Sequence, residues 1–569
     1  MKKKLLAGLA CLAVMAMGTA GCSQAPKPDK PWAAFVQGSI EQWLAVDPAF
    51  AVYQGAHQFD GKLPDWSEKG LKARADFYRS LIQQAQAYHD LKGPDAFERD
   101  YLVKVAEAQL FWMVEADQPH TNPAWYVGGG LDPNVYVSRE YADKPTRMKA
   151  MIAFFEAVPQ AAAHIRANLK APLPASFVKY GVSAFGGFAE YYQGDARAAF
   201  ADVKDADLQA RFADASGKAA AAMQELADWM KGQEATATQD FALGDKRFAR
   251  MLNATEAVDV PLDELEAAGR ADLDRNRKAL VDACSAFAPG KTVPECFVKM
   301  NANKPAGGPV TEATRQIPAI TRFVREKDLV TIPGTETALV RESPPYNRQN
   351  SAYIDVPGPF EKGIPSIYYI SPPDPAWPKD KQLAFIPGVN DLLFTSVHEI
   401  MPGHFLQFLH SNRAQSPVGR LFVGYAFAEG WAHYTEEMMW EAGLGAGNPE
   451  VRVGQLSNAL LRNCRFLSAI GLHARGMSLA DSKKLFMEQC FQDEGTAEQQ
   501  AARGTYDPAY LNYTLGKLMI RKLRADWTAT RGDRTAWKAF HDAFLGFGGP
   551  PIPLVRQAMM QEDAPRAVF

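Results

Sequence analysis

Four of the ten histidines, His398, His404, His410 and His433, fall within 36 residues of one another. The densest part reads Val397-His398-Glu399-Ile400-Met401-Pro402-Gly403-His404. An imidazole pair with a carboxylate beside the first ring is the equipment of a metal site that activates water. In the pattern H-E-x-x-H the two rings stand four residues apart, about 40° around a helix and about 6 Å along it, so one ion reaches both. Here the spacing is six. At about 100° per residue that is about 600°, leaving the rings on different helix faces. Pro402 removes the conflict, because it has no N–H to give the carbonyl four residues earlier and its ring opens that turn. Gly403 adds backbone freedom. If the Pro-Gly pair bulges outward, the imidazoles recover an effective spacing of four. His404 then continues a helix to about Leu409.

A third ligand is expected from an acid on a neighbouring helix. Glu429, in Ala428-Glu429-Gly430-Trp431-Ala432-His433-Tyr434, lies 25 residues beyond His404. That distance suits a loop over Asn412 to Pro417 and a second, antiparallel helix. His398, His404 and Glu429 would make a His2Glu set for one Zn2+ per chain, with the fourth position left for water. Glu399, adjacent to a ligand but not itself one, would be the general base. Tyr510, Tyr513, Lys517, Arg521 and Arg524 recur every three or four residues and form one aromatic and basic helix face. That face either meets substrate or is simply solvated.

Three short motifs in this part, H-E-x-x-P-G-H-x-x-Q from His398 to Gln407, E-G-W-A-x-Y from Glu429 to Tyr434 and Y-x-x-G-K from Tyr513 to Lys517, resemble a bacterial family known as domain of unknown function 885. Its members are similar to gluzincin metallopeptidases of the carboxypeptidase Taq, oligopeptidase and angiotensin-converting-enzyme groups. The specific motifs lie within 345–525. The resemblance implies a mostly α, zincin-like, two-lobed helical body with a deep channel and zinc at its floor. It implies a zinc-dependent peptidase of carboxypeptidase or oligopeptidase type, with His398, His404 and Glu429 as ligands and Glu399 as base. Tyr513 takes a family-like position as donor to a developing oxyanion. Lys517 or Arg521 would meet a substrate carboxylate. His473, also in a family-like segment, either gives substrate a hydrogen bond or sits in the core. Where many gluzincins carry an acid four residues after the ligand Glu, this chain has His433. Either Glu436 or Glu437 then orients a ligand His, or His433 faces substrate. A different zinc amide hydrolase, or a non-catalytic lipoprotein that keeps the zincin fold, are the alternative readings.

The elements that must position these residues are mostly helical. Residues 32–328 read as an N-terminal helical lobe with Ala-rich stretches at 206–232 and 261–286, the latter opened by Pro261. Loops are expected at 119–134 and 302–309. Residues 329–374 change character: Leu329 to Ile332, Ala338 to Arg341, Ala352 to Val356 and Ser366 to Ile370 are short β-rich runs between Pro and Gly, a small inserted sheet of three or four strands. Pro365 to Ile370 reads either as a plain structural edge strand or as a strand on which extended substrate pairs, with Tyr369 on the substrate side. Residues 375–569 form the helical lobe that carries the zinc site.

The N-terminus addresses the chain to the bacterial envelope. Lys2 to Lys4 and the apolar run Leu5 to Ala20 make a signal peptide over residues 1–21. Thr19-Ala20-Gly21-Cys22 resembles a lipobox, with Thr19 where Leu or Val is usual, so Cys22 would carry lipid and residues 22–31 would be a tether. Ser23 after the Cys favours the outer membrane, facing the periplasm. In that oxidising space Cys284, Cys296, Cys464 and Cys490 can pair, and proximity favours Cys284–Cys296 and Cys464–Cys490. Overall, 569 residues at 47% hydrophobic and 22% charged exclude disorder, and 62 Lys+Arg against 65 Asp+Glu, net −3, exclude the basic footprint of a nucleic-acid binder. The expected partners are peptide substrates and, through the lipid alone, a membrane.

Overall fold

A computed structural model describes residues 30–344, 347–348 and 351–569. The expected signal peptide, Cys22 and most of the tether lie outside the described residues. The chain is mostly helical with one three-stranded sheet. No described helix is long and apolar enough to cross a membrane.

Two hydrophobic cores divide the helices. One gathers buried residues from Trp32 to Met230, joined by Val418, Leu421 and Phe422. The other runs from Phe248 to Val555, joined by Phe111 and Ala116. The division falls between Met230 and Phe248, earlier than 328, because the Leu262–Phe287 and Gly308–Glu326 helices bury Leu265, Leu273 and Ile320 in the second core. Pro261 sits just before the first of these helices and so leaves its hydrogen bonds intact. The stretch 119–134 is not plain loop: Pro119 and Pro123 begin the short helices Gln118–Thr121 and Pro123–Gly128, where a missing N–H is harmless. Disulfides join Cys284 to Cys296 and Cys464 to Cys490, the pairings that proximity favours.

The sheet contains β1 (Ala338–Glu342), β2 (Ala352–Asp355) and β3 (Ser366–Ile370). Its order is β1-β3-β2, with β1 parallel and β2 antiparallel to β3. The reading of Pro365 to Ile370 as an open edge strand is therefore corrected. β3 is the central strand, buried along its length, and its main-chain groups already pair on both sides. Leu329 to Ile332 is not a strand. Side chains take its backbone groups instead: Asp542 accepts from the Thr331 N–H, His541 reaches the Leu329 carbonyl and His410 the Thr331 carbonyl.

Candidate metal centre

The motif between His398 and His404 breaks a helix outright. The first helix, Val389–Glu399, stops one residue after His398, and the second, His404–Ser411, starts at the other histidine. The expected outward bulge within one helix is thus replaced by a four-residue connection, Ile400 to Gly403. Its backbone is satisfied by wide turns: Gly403 N–H reaches the Val397 carbonyl at 3.0 Å, and Leu406 N–H reaches Ile400 at 3.3 Å. The connection folds back so tightly that a Cβ at residue 403 would overlap the His398 carbonyl oxygen. Only glycine fits there. The Pro402 carbonyl, freed from the helix, accepts from the indole N–H of the fully buried Trp431 at 2.8 Å. The E-G-W motif therefore braces the very break that the P-G motif creates.

Glu429 arrives on the Tyr425–Glu441 helix, whose residues are buried on all sides. Positions 429, 433 and 436 share one face. This helix meets the Asn512–Thr528 helix where Gly430 and Gly516 touch: a Cβ on either would strike the backbone of the other helix. The glycines of E-G-W and of Y-x-x-G-K are one close crossing, which sets Tyr513 beside the site.

The imidazole Nε2 atoms of His398 and His404 each lie 3.2 Å from Glu429 Oε2. One donor atom from each of the three residues falls within 4.8 Å of the others. Ligands about 2.0–2.1 Å from a tetrahedral zinc stand about 3.3 Å apart. The Nδ1 of His398 is taken by Glu436 Oε1 at 2.7 Å, which places the proton of a neutral ring on Nδ1 and leaves the Nε2 lone pair facing the Glu429 carboxylate. Two lone-pair donors aimed at one point call for a cation between them. The donor set thus fits a zinc ion.

The surrounding carboxylates also favour a protonated His398 ring, so a metal ion binding here would displace a proton from that imidazole. Burial works against the Glu429 carboxylate, yet the charge of His404 and hydrogen bonds from both imidazoles hold it well below the usual range. Burial likewise opposes the His398 imidazolium, but Glu429 and Glu436 carry its pKa up to about 9. Behind His398, Arg462 reaches Glu436 at 3.4 Å; its other end is fixed by Asn458, which donates to Asp391 at 2.9 Å. Glu399 is buried beside the cluster. Burial pushes its carboxyl up, the neighbouring histidines pull it back, and no described residue hydrogen-bonds it.

Tyr513 packs against the site with its ring 6.3 Å from that of His398 and nearly parallel to it, and 5.9 Å from Tyr425. Burial and the Glu429 charge raise its phenol, so it remains a donor. The other expected contacts are placed differently. Lys517 is fully buried and ion-paired with Asp272, with Glu437 at 3.9 Å. Arg521 lies 3.4 Å from Glu437 and 3.8 Å from Asp272. Both cations are spent inside an ion cluster that Arg275 completes, so neither stands ready for a substrate carboxylate. Glu437 belongs to that cluster, and Glu436 is the acid that holds His398. His433 is fully buried 3.5 Å from Glu436, and no described residue hydrogen-bonds either ring nitrogen. His473 bridges backbone, from Leu243 N–H to the Gly504 carbonyl, and lies flat against Phe248. Tyr369 stacks on Tyr353 of β2 at 5.0 Å, while Tyr368 points the opposite way, toward Glu399. Sequence reasoning missed Arg462 and Arg465. Two arginines three apart in an otherwise buried helix, Arg-Asn-Cys-Arg, are the trace they leave.

A cavity of about 1480 Å³ opens nearby between residues 109–132, 176–195 and 495–509, and Tyr425 lines it. Its walls reach Arg503 and Asp507, which hold the Tyr425 hydroxyl, but not the three metal-type ligands themselves.

Two solved structures share this fold. A candidate lipoprotein of unknown function from Shewanella oneidensis aligns over 93% of this chain and 100% of its own, at 23% identity and TM-score 0.76. A candidate lipoprotein from Colwellia psychrerythraea covers 93% and 98%, at 17% identity and TM-score 0.78. No curated protein matches. A family model does, over residues 48–559, and the chain belongs to that family: the bacterial proteins of unknown function called DUF885.

Proposed function

We propose that this chain is a zinc-dependent hydrolase, a metallopeptidase of carboxypeptidase or oligopeptidase type, in which His398, His404 and Glu429 hold one zinc. The observation that carries the reading is the convergence of those three donors on one point beside an unpartnered, buried Glu399. Zinc held there would supply a Lewis acid that acidifies a water and polarises the scissile carbonyl. Glu399 takes the proton of the attacking water as its oxygen bonds to the carbonyl carbon. The same carboxyl then passes that proton to the leaving amine as the C–N bond breaks. Tyr513 donates its O–H toward the oxygen on which negative charge develops. Glu436 fixes the tautomer and orientation of His398.

In this reading substrate approaches through the cavity lined by Tyr425, the counterpart of the channel expected for a gluzincin-like, two-lobed body. A size-limited passage suits peptides and excludes folded proteins. The kinship with two candidate lipoproteins supports a lipid anchor at Cys22 and a place in the cell envelope, at the outer membrane facing the periplasm.

The test combines metal content with turnover of a mixed peptide pool. Wild-type protein is expected to hold one zinc per chain and to cleave peptides. Glu399→Gln should keep the zinc and lose about 10²–10⁴ in turnover, since it removes the base and spares the ligands. Near-normal rates for that variant would discredit the role of Glu399. Zinc-loaded protein inert to all peptides but active on acyl-amides would reassign it to another amide hydrolase. Folded protein without zinc or turnover would leave a binding module.

A further inference from the structure

The Pro449–Ala474 helix sends Arg462 and Arg465 toward the metal centre. Six described arginines are buried: Arg139, Arg147, Arg462, Arg465, Arg524 and Arg556. Four of them face carboxylates: Arg139 meets Asp355 and Glu361, Arg462 meets Glu436, Arg524 meets Glu441, and Arg556 meets Asp526. Arg147 uses its guanidinium on the carbonyls of Ala142, Tyr136 and Val137. Arg465 has neither arrangement. Its Nε donates to Gln500 Oε1 at 2.7 Å, its guanidinium lies over the Tyr513 ring at 4.8 Å, and no described acid pairs with it. Its neighbours Arg503 and Arg462 are paired, with Asp507 and Glu436 respectively. Burial and the charge of Arg503 lower the affinity of Arg465 for its proton, as expected of a cation without a counter-ion.

A buried guanidinium left unpaired is expensive, and an anion supplied from outside restores the balance. Arg465 and His398 pack against the same Tyr513 ring. The guanidinium lies 4.8 Å and the His398 ring 6.3 Å from that one aromatic ring, so both groups border the same part of the site. Gln500, which accepts from the Arg465 Nε, is itself buried and brings no charge to meet the guanidinium.

We propose that Arg465 receives the terminal carboxylate of a bound peptide, so that the site removes short pieces from C-terminal ends. The proposal rests on the hydrolase reading for its second half only; capture of the carboxylate is a binding event. It also reassigns the role expected of Lys517 and Arg521 to a residue on another helix.

The test titrates zinc-loaded Glu399→Gln protein, which turns substrate over slowly, with acetyl-Ala-Phe and with acetyl-Ala-Phe-amide. The free acid should bind at least tenfold more tightly. Adding Arg465→Gln should erase that difference, and Arg465→Lys should restore part of it, since lysine keeps the charge but not the planar fork. Thermal unfolding confirms that each variant is folded. Equal affinity for acid and amide, or a preference that survives Arg465→Gln, overturns the proposal. A third probe, acetyl-Asp-Phe-amide, carries its carboxylate on a side chain; tight binding that depends on Arg465 would overturn the C-terminal assignment. In turnover assays of the wild type, amidated peptides cleaved as fast as free acids would sink the proposal and leave the hydrolase standing. Absence of any hydrolysis beside an intact preference for the acid would sink the hydrolase and leave Arg465 as a carboxylate receptor.

Discussion

Two clusters of buried charge share the Tyr425–Glu441 helix, and they differ in how their charges are met. On one face Glu437 joins Asp272, Arg275, Lys517 and Arg521, and each acid there has cations within 4 Å. That cluster closes on itself and ties three helices together. On the other face Glu429 meets two imidazoles, and among the described residues Glu399 has no hydrogen-bond partner and Arg465 no paired acid. Charge on the first face is complete without a ligand. In the reading proposed above, a cation between the histidines and an anion at Arg465 complete the charge on the second face. A buried charge is tolerated when something answers it, so unanswered charge marks the place where a ligand belongs.

The strongest way to break this contrast is at Gly403. Any side chain there meets the His398 carbonyl, so Gly403→Ala must push the His404–Ser411 helix away and separate the imidazoles. Zinc content and peptide turnover should both fall to background, while the Asp272–Lys517 cluster stays formed and the protein still unfolds cooperatively. Retention of stoichiometric zinc would show that the break between the two helices is not what aligns the ligands.

The complementary change attacks the closed cluster. Lys517→Met leaves Asp272 and Glu437 buried with only the half-exposed Arg275 and Arg521 to answer them. Loss of one partner from a buried pair costs about 3–5 kcal/mol, and the remaining cations put this case near 3. Denaturant unfolding should show that loss with zinc content unchanged. Unaltered stability together with weakened capture of C-terminal acids would return Lys517 to substrate recognition.

The two clusters were unequally legible in the sequence. His398, Glu399, His404 and Glu429 announce themselves because metal chemistry needs those residue types at constrained spacings, and the Pro402-Gly403 pair betrays the break that brings the rings together. The mostly helical character, the three strands and both disulfides are likewise readable from periodicity, Pro and Gly placement and proximity. The partners of Lys517 and Arg521 are not. A helix face that alternates tyrosine and cations looks the same whether it meets solvent, substrate or acids 80 to 250 residues away, such as Glu437 and Asp272. The sheet shows the same limit: a β-rich run between Pro and Gly identifies β3, but whether it lies at an edge depends on β1 and β2 finding it. Arg465 was hidden for the opposite reason, since its importance lies in a partner it lacks, and sequence does not display a missing contact.

Glu256 gives the comparison a third case and the smallest effect. It caps the Tyr425–Glu441 helix, accepting from Ala426 N–H and the Asn512 amide at one oxygen, while its other oxygen has no partner. Among the described residues no cation answers it, and burial raises its pKa to about 8. The charge is met by a proton instead. From pH 4.5 to 8 the unfolded chain releases that proton and the folded chain keeps it, so the unfolding free energy falls as pH rises through this window. Below 4.5 both states hold the proton, and above 8 both have lost it. Glu256→Gln keeps the acceptor and removes the titration. Relative to the variant, the wild type should lose on the order of 2 kcal/mol by pH 6, at up to about 1.4 kcal/mol per pH unit. Guanidinium unfolding of both proteins between pH 4.5 and 6 measures it. Parallel pH profiles would mean that Glu256 is ionised in the fold and that a positive charge must answer it, which would place it with Glu437 and not apart from both clusters.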